Sequence, residues 1–257
     1  MTARVDLRLD LRGGSTVGYL TVDNRAKLNT LDRALMREFI AAIETLAPRA
    51  DLRALVLTGG GDKAFIGGAS IPEMAALDTD SARDFITLVH QTCDGLRRLP
   101  VPVIARIDGF ALGAGLEVAV SCDLRVASTR AQFGMPEVKV GIPSVVEAAL
   151  IPQLIGSGRA RELLMLGETI DAATALRWGL VERVVAPEAL DAEVEKVVAA
   201  LLAAGAQAVR RQKTLMQAWE RLPTDEAIAA GVDAFTRAFE SDEPQRMLSA
   251  FAKRKRD

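Results

Sequence analysis

An α/β layered fold with an all-helical C-terminal region is what this sequence predicts, and three patterns predict it. Strand, loop and helix signatures alternate through the first two-thirds of the 257 residues. The runs at 54–57 and 102–107 are short and mostly apolar, as in strands buried on both faces. From about Ala186 onward the apolar residues keep helical spacing to the end. The chain therefore divides, on pattern, into a core over 1–186 that carries the candidate site and a helical region over 187–257 suited to packing or assembly.

The elements follow in order. Val5, Leu7, Leu9 and Leu11 alternate, Gly13-Gly14 interrupts them, and Val17, Tyr19 and Leu20 resume, which reads as a β-hairpin over roughly 4–11 and 16–22. After Asp32, Leu35, Phe39, Ile43 and Leu46 step by threes and fours, one face of a helix ending before Pro48. Residues 54–57 form a buried strand, followed by a glycine-rich loop from Gly59 to Gly68. Pro72 fits the first turn of a short helix, where a missing N–H costs little. A longer helix spans 80–98 with Phe85, Leu88, Val89 and Leu96 inward, and Pro100 and Pro102 stop it. A strand over 102–107 leads through Asp108-Gly109-Phe110 into a helix from about Leu112 to Val120, and Leu124–Ala127 is a strand again. Residues 144–167 read as largely helical with Ser157 as an N-cap, and 180–185 as a last strand. Helices at 187–204, 206–220, 224–240 and 242–251 complete the chain, the last opening on Ser241, Asp242, Glu243 and Pro244.

Composition narrows the chemistry. His90 is the one histidine, so a multi-histidine metal site within the chain is excluded. Cys93 and Cys122 make neither a disulfide framework nor a four-cysteine zinc site and fit a reducing cytoplasm. A net charge of −2 gives no electrostatic case for nucleic acid or a membrane surface. The longest uncharged stretch, Val197–Val209, is too short to span a bilayer, and charges at Arg4, Asp6, Arg8 and Asp10 leave no signal-peptide apolar run. These counts describe a soluble intracellular protein.

Familiar motifs fail. The loop around Lys63 does not match a P-loop, Val118 stands where a dinucleotide fingerprint needs its third glycine, and Pro72 occupies the last position of a Gly-x-Ser-x-Gly around Ser70. His90 lies mid-helix beside apolar residues and reads as a packing or surface residue.

Two loops survive. Residues 64–70 and 109–115 each leave a strand, are built of small residues and enter a helix. Small residues allow close approach to the backbone, and helix N-termini offer unpaired N–H donors. Two such termini facing each other would hold an oxyanion. Glu117, one turn inside the second helix among Leu116, Val118, Ala119 and Val120, is expected to be buried with its pKa raised. Glu137 follows the turn Phe133-Gly134-Met135-Pro136. Glycine loops also serve simply as turns, and buried glutamates as salt-bridged scaffolding; the pattern alone leaves both readings open.

The segments AFIGGASIPEM (64–74), IDGFALGAGLEVAVSCD (107–123) and AQFGMPEVKVGIP (131–143) together resemble the crotonase family, the enoyl-CoA hydratases and isomerases. The likeness continues through 167–172 and 178–181 and covers essentially the whole chain. It implies a spiral of ββα units with a helical C-terminal trimerisation region, assembled as a homotrimer or a dimer of trimers. It implies an acyl-CoA thioester as substrate, with coenzyme A arriving as part of that substrate and no metal or separate cofactor. The family's oxyanion-hole N–H groups fall on Ala69 and Ala114, and the hydratases' two catalytic glutamates on Glu117 and Glu137. Gly67, Ser70, Gly113, Met135 and Ser144 fall in substrate-binding positions. Phe251 and Lys253 are candidates for contact with coenzyme A, although Lys253–Arg256 also reads as a solvated basic tail.

The sequence departs from the hydratase pattern after Pro143. Ser144-Val145-Val146-Glu147 replaces a glycine-rich stretch, so Ser144 stands where a glycine N–H would help hold water. Ser70 replaces the usual Asp, Met135 a frequent Gln, and Glu147 is an extra carboxylate that reads as structural or as part of the pocket rim. The expected activity is hydration of a 2-enoyl-CoA, with Glu137 exchanging the C2 proton and Glu117 activating water. Double-bond isomerisation, thioester hydrolysis, decarboxylation and a non-catalytic CoA-thioester or RNA-binding role remain the alternatives. A protease of this fold would need a Ser–His pair, which a single mid-helix histidine disfavours.

Overall fold

The computed structural model describes residues 3–254. The alternating N-terminal residues form the hairpin β1 (Arg4–Arg12) and β2 (Ser15–Asp23), paired antiparallel across Gly13-Gly14. Asp32 caps α1 (Arg33–Leu46) by accepting the Leu35 N–H at 2.8 Å, and Leu35, Met36, Phe39, Ile43 and Leu46 form its buried face.

Three turns of the chain then repeat one plan. The first adds β3 (Leu52–Gly59) and β4 (Ala64–Ile66), followed by α2 (Ile71–Met74) and α3 (Thr79–Arg98). The second adds β5 (Val103–Ile107), β6 (Phe110–Leu112) and α4 (Ala114–Ser121). The third adds β7 (Leu124–Ser128) and β8 (Gln132–Gly134), followed by 3₁₀ turns at Pro136–Val140 and Val146–Leu150 and the helices α5 (Ile151–Ile155) and α6 (Ser157–Leu166). The longer strand of each turn joins a six-stranded sheet ordered β1-β2-β3-β5-β7-β10, and the shorter one joins a four-stranded sheet ordered β4-β6-β8-β9. Here β9 is Thr169–Asp171 and β10 is Arg183–Val185, separated by α7 (Ala172–Trp178). This is the spiral of ββα units that the sequence resemblance implies.

The main core lies inside the spiral, where Leu57, Ile107, Phe65, Ile66, Phe133 and α1, α3 and α4 pack together. The outer face of the large sheet is covered by α8 (Leu190–Ala203), which sets Leu190, Val194 and Val198 against Val17, Val56, Ile104 and Val126. Then follow α9 (Ala206–Trp219), α10 (Thr224–Ala238) and α11 (Glu243–Arg254). Among the described residues no helix is long and apolar enough to cross a membrane.

Several local expectations change. Residues 64–66 and 110–112, read as loop and as the approach to a helix, are strands of three residues, too short to show alternation. Ser157 is the first residue of α6 and not its N-cap; Gly156 holds that place, with no side-chain cap. The strand expected over 180–185 is only Arg183–Val185.

One buried cation ties α9 to the core. The Lys213 ammonium donates to the carbonyls of Leu96 (3.1 Å) and Val101 (2.9 Å) and to Asp123 (2.7 Å), at 6% exposure. Burial lowers its pKa, against the pull of Asp123. Lys213→Ala would take the donor from both carbonyls and leave Asp123 with the Val103 N–H but no cation, so we expect a loss of about 3 kcal/mol in denaturant unfolding.

Candidate active site

The site is built on one edge of the small sheet. Strands β4, β6 and β8 run parallel, pairing Ala64 with Phe110 and Leu112 with Gly134, so their C-terminal ends release three turns side by side. The turns carry Gly67–Ser70, Gly113-Ala114 and Met135–Glu137.

Ala69 lies in a parallel bridge with Leu31. The bridge uses the carbonyl of Gly68, which accepts the Leu31 N–H at 2.9 Å, and the N–H of Ser70, which donates to Leu31 at 2.8 Å. Parallel pairing of this kind turns the N–H of Ala69 itself to the opposite side, away from Leu31. Ala114 is the first residue of α4, and its N–H belongs to the first turn, which has no intrahelical acceptor. The carbonyl of Gly113 instead accepts from Leu116 (2.8 Å) and Glu117 (3.0 Å), starting the helix.

Two glycines permit this packing. Gly113 has φ of +52°, and a Cβ there would run into Oε1 of Glu137, so the carboxylate lies directly against the α4 N-terminus. A Cβ on Gly115 would fall on the Ile66 carbonyl, which is how closely α4 is seated on β4.

Glu117 is 3% exposed, and its Oε1 accepts the Ala148 N–H at 3.3 Å. Burial first, and then the charges of Glu137 and Glu147, push its pKa up to about 8 against the pull of that hydrogen bond. Glu137 is half-buried, and its Oε2 accepts the Ser144 hydroxyl at 2.8 Å. Neither carboxylate has an ion-pair partner among the described residues, so neither is salt-bridged there. What the arrangement offers is two backbone N–H donors, a carboxyl that holds its proton near neutral pH, and a second carboxylate close enough to affect it.

The remaining predicted residues are distributed unevenly. Gly67 gives its N–H to Leu28 at 2.8 Å, and Ser70 precedes α2 without capping it through its side chain. Met135 is fully buried in the core beneath the site. Phe251 and Lys253 stand exposed on α11; Lys255 and Arg256 of the basic tail lie outside the described residues. Glu147 is buried at 7% exposure and so is not a rim residue; its Oε1 pairs with His90 Nδ1 at 2.7 Å. That pair, the Ser144–Glu137 bond and the Ala148 contact were not foreseen, and no spacing in the sequence links positions 57 apart such as 90 and 147.

The family model for enoyl-CoA hydratase/isomerase matches residues 12–257. The chain belongs to this family. Among relatives, it is 36% identical to the crotonyl-CoA hydratase of Syntrophomonas wolfei over 91% of this chain and 90% of that one. It is 33% identical to the short-chain-enoyl-CoA hydratase of Clostridium acetobutylicum over 93% and 92% of the two chains. The enoyl-CoA hydratase structure from Mycobacterium smegmatis superposes with a TM-score of 0.91 at 32% identity, covering 96% of both chains. The one from Bacillus anthracis gives 0.91 at 29% identity, also over 96% of each. The enoyl-CoA hydratase/isomerase likeness thus extends over nearly all of the chain, the family model running from residue 12 through the helical C-terminal region.

Proposed function

We propose that this protein is an enoyl-CoA hydratase, adding water across the double bond of a 2-enoyl-CoA thioester and reversing that step. The observation that carries the reading is the convergence of a protonatable, buried Glu117 and a Glu137 carboxylate beside the α4 N-terminus. The N–H groups of Ala69 and Ala114 receive the thioester oxygen as it gains negative charge. Each such donor is worth about 3–4 kcal/mol of barrier in comparable sites.

In hydration, which starts from the form of the pair with its shared proton on Glu137, water bonds to C3 and gives a proton to Glu117 while Glu137 delivers its own to C2. In dehydration, Glu117 protonates the departing 3-hydroxyl and Glu137 takes the C2 proton. Both directions use a pair that carries one proton in total, shared between two interacting carboxyls. A pKa near 8 for Glu117 puts loss of that proton at mildly alkaline pH. Accordingly kcat/KM, in either direction, should fall as pH rises through about 8.

A double-bond isomerase is the second reading, since one carboxylate can shuttle a proton between two carbons; two carboxyls close enough to interact favour hydration. The discriminating experiment uses a panel of 2-enoyl-CoA and 3-enoyl-CoA thioesters, followed by conjugated-thioester absorbance and product mass. Gain of one water supports hydration, an unchanged mass with a moved double bond supports isomerisation, and free coenzyme A supports hydrolysis. Glu137→Gln should slow hydration by about two to four orders of magnitude.

The same reading includes assembly. Ile228, Val232 and Phe235 are exposed at helical spacing on α10, with Met247 and Leu248 on α11, and apolar faces of this kind suit a homotrimer or a dimer of trimers. Phe251 and Lys253 stay candidates for reaching coenzyme A from that region, and a cytoplasmic setting fits the two free cysteines.

A further inference from the structure

We propose that His90 and Glu147 form a positioning pair for Glu117, tying the Val146–Leu150 turn to α3 so that the Ala148 N–H is held on the Glu117 carboxyl. The proposal rests on the hydratase reading for its kinetic effects, not for its structural ones.

Four observations carry it. His90 Nδ1 meets Glu147 Oε1 at 2.7 Å, joining α3 to the turn. Ala148, the next residue, shares its N–H between the Val145 carbonyl (2.9 Å), inside the turn, and the Glu117 carboxyl (3.3 Å). Val146, the residue before, holds φ of +38°, a conformation that a β-branched side chain resists. A turn that starts on such a residue needs an external tie to stay in place. Finally, Glu147 Oε2 is buried with no partner among the described residues. A carboxylate so placed is costly, and His90, with its side chain half exposed, is the group that compensates it.

The charges around the pair define the expected signature. From α3, His90, Cys93, Asp94 and Arg97 face this region; α4 contributes Glu117, and α5 contributes no titratable group. Glu147 has its pKa raised by burial, and His90 and Arg97 oppose that rise. Its negative charge adds to that of Glu137 in keeping the proton on Glu117. Removing the charge at Glu147 therefore lowers the pKa of Glu117.

The test compares Glu147→Gln, His90→Ala and His90→Asn with the parent protein. Glu147→Gln should lower kcat about tenfold with KM within about twofold, and should move the alkaline limb of kcat/KM to lower pH. His90→Ala should reproduce the loss in kcat. His90→Asn, whose amide can reach the position of Nδ1, should restore most of it. Unchanged kcat and an unmoved limb in Glu147→Gln and His90→Ala would overturn the proposal. So would a loss of kcat with no shift of the limb and no rescue by asparagine, because a purely structural defect behaves that way. Infrared titration of the protonated-carboxyl band that disappears in Glu117→Gln supplies a readout without turnover. That band should titrate at lower pH in Glu147→Gln even if the protein hydrates no thioester, and an unmoved titration overturns the proposal whatever the substrate.

Discussion

Glu117→Gln should melt at a higher temperature than the parent protein at pH 8.5 and have almost no activity. The folded carboxyl titrates near pH 8, whereas the unfolded one titrates close to the ordinary value of 4.5. Between those values the folded state holds a proton that the unfolded chain releases, so this residue's contribution to stability falls as pH rises. At pH 5 the two proteins should differ little. At pH 8.5 nearly the full difference applies, on the order of 4–5 kcal/mol in favour of glutamine. For a chain of this size that is several degrees of Tm. Glutamine keeps an acceptor for the Ala148 N–H, so the gain is not offset by a broken bond. It cannot accept a proton from water, and kcat should fall by at least about two orders of magnitude. Thermal unfolding at pH 5 and 8.5, paired with thioester turnover, checks both halves. Equal Tm differences at the two pH values would show that Glu117 does not carry the buried proton.

Gly115→Ala should lose both the site and much of the stability. The added methyl would fall on the backbone carbonyl of Ile66, which no rotamer change can relieve. Either α4 lifts from β4 or β4 shifts, and both movements displace the Ala114 N–H and Glu117 together. Core overpacking against a flexible side chain costs about 1–3 kcal/mol, and a backbone obstacle belongs above that range. Denaturant unfolding should therefore show a drop of more than about 3 kcal/mol, with activity lost even where folding is rescued at low temperature. A stable, active Gly115→Ala would mean that α4 is not seated as described.

The sequence made the larger elements legible because their signals are long. α1 and α3 show sustained helical periodicity with acidic caps at Asp32 and Asp78, and the hairpin shows period-two alternation around two glycines. The small sheet was not legible. β4, β6, β8 and β9 have three residues each, and their identity as strands comes from pairing with one another. That sheet is what brings the three turns of the site together, so local pattern showed the glycine loops and glutamates without their convergence. The ordered motifs of the family resemblance supplied it instead. The raised pKa of Glu117 could be anticipated from its apolar neighbours. The Ser144 hydroxyl on Glu137 and the His90–Glu147 pair could not, because each depends on side chains meeting across irregular turns. Of the packing and surface readings of His90 the structure shows the surface one, an exposed side chain on α3, yet its partner is the buried carboxylate of Glu147.

The most direct measurement follows the oxygen. Incubation of the protein with crotonyl-CoA in water enriched in oxygen-18, with mass analysis of the product, reports where water goes. A Glu117–Glu137 pair working on a thioester held by the Ala69 and Ala114 N–H groups should place one labelled oxygen at C3, with the thioester intact and an unlabelled carbonyl. Label in a free carboxylate with release of coenzyme A, or a product without label, would contradict it.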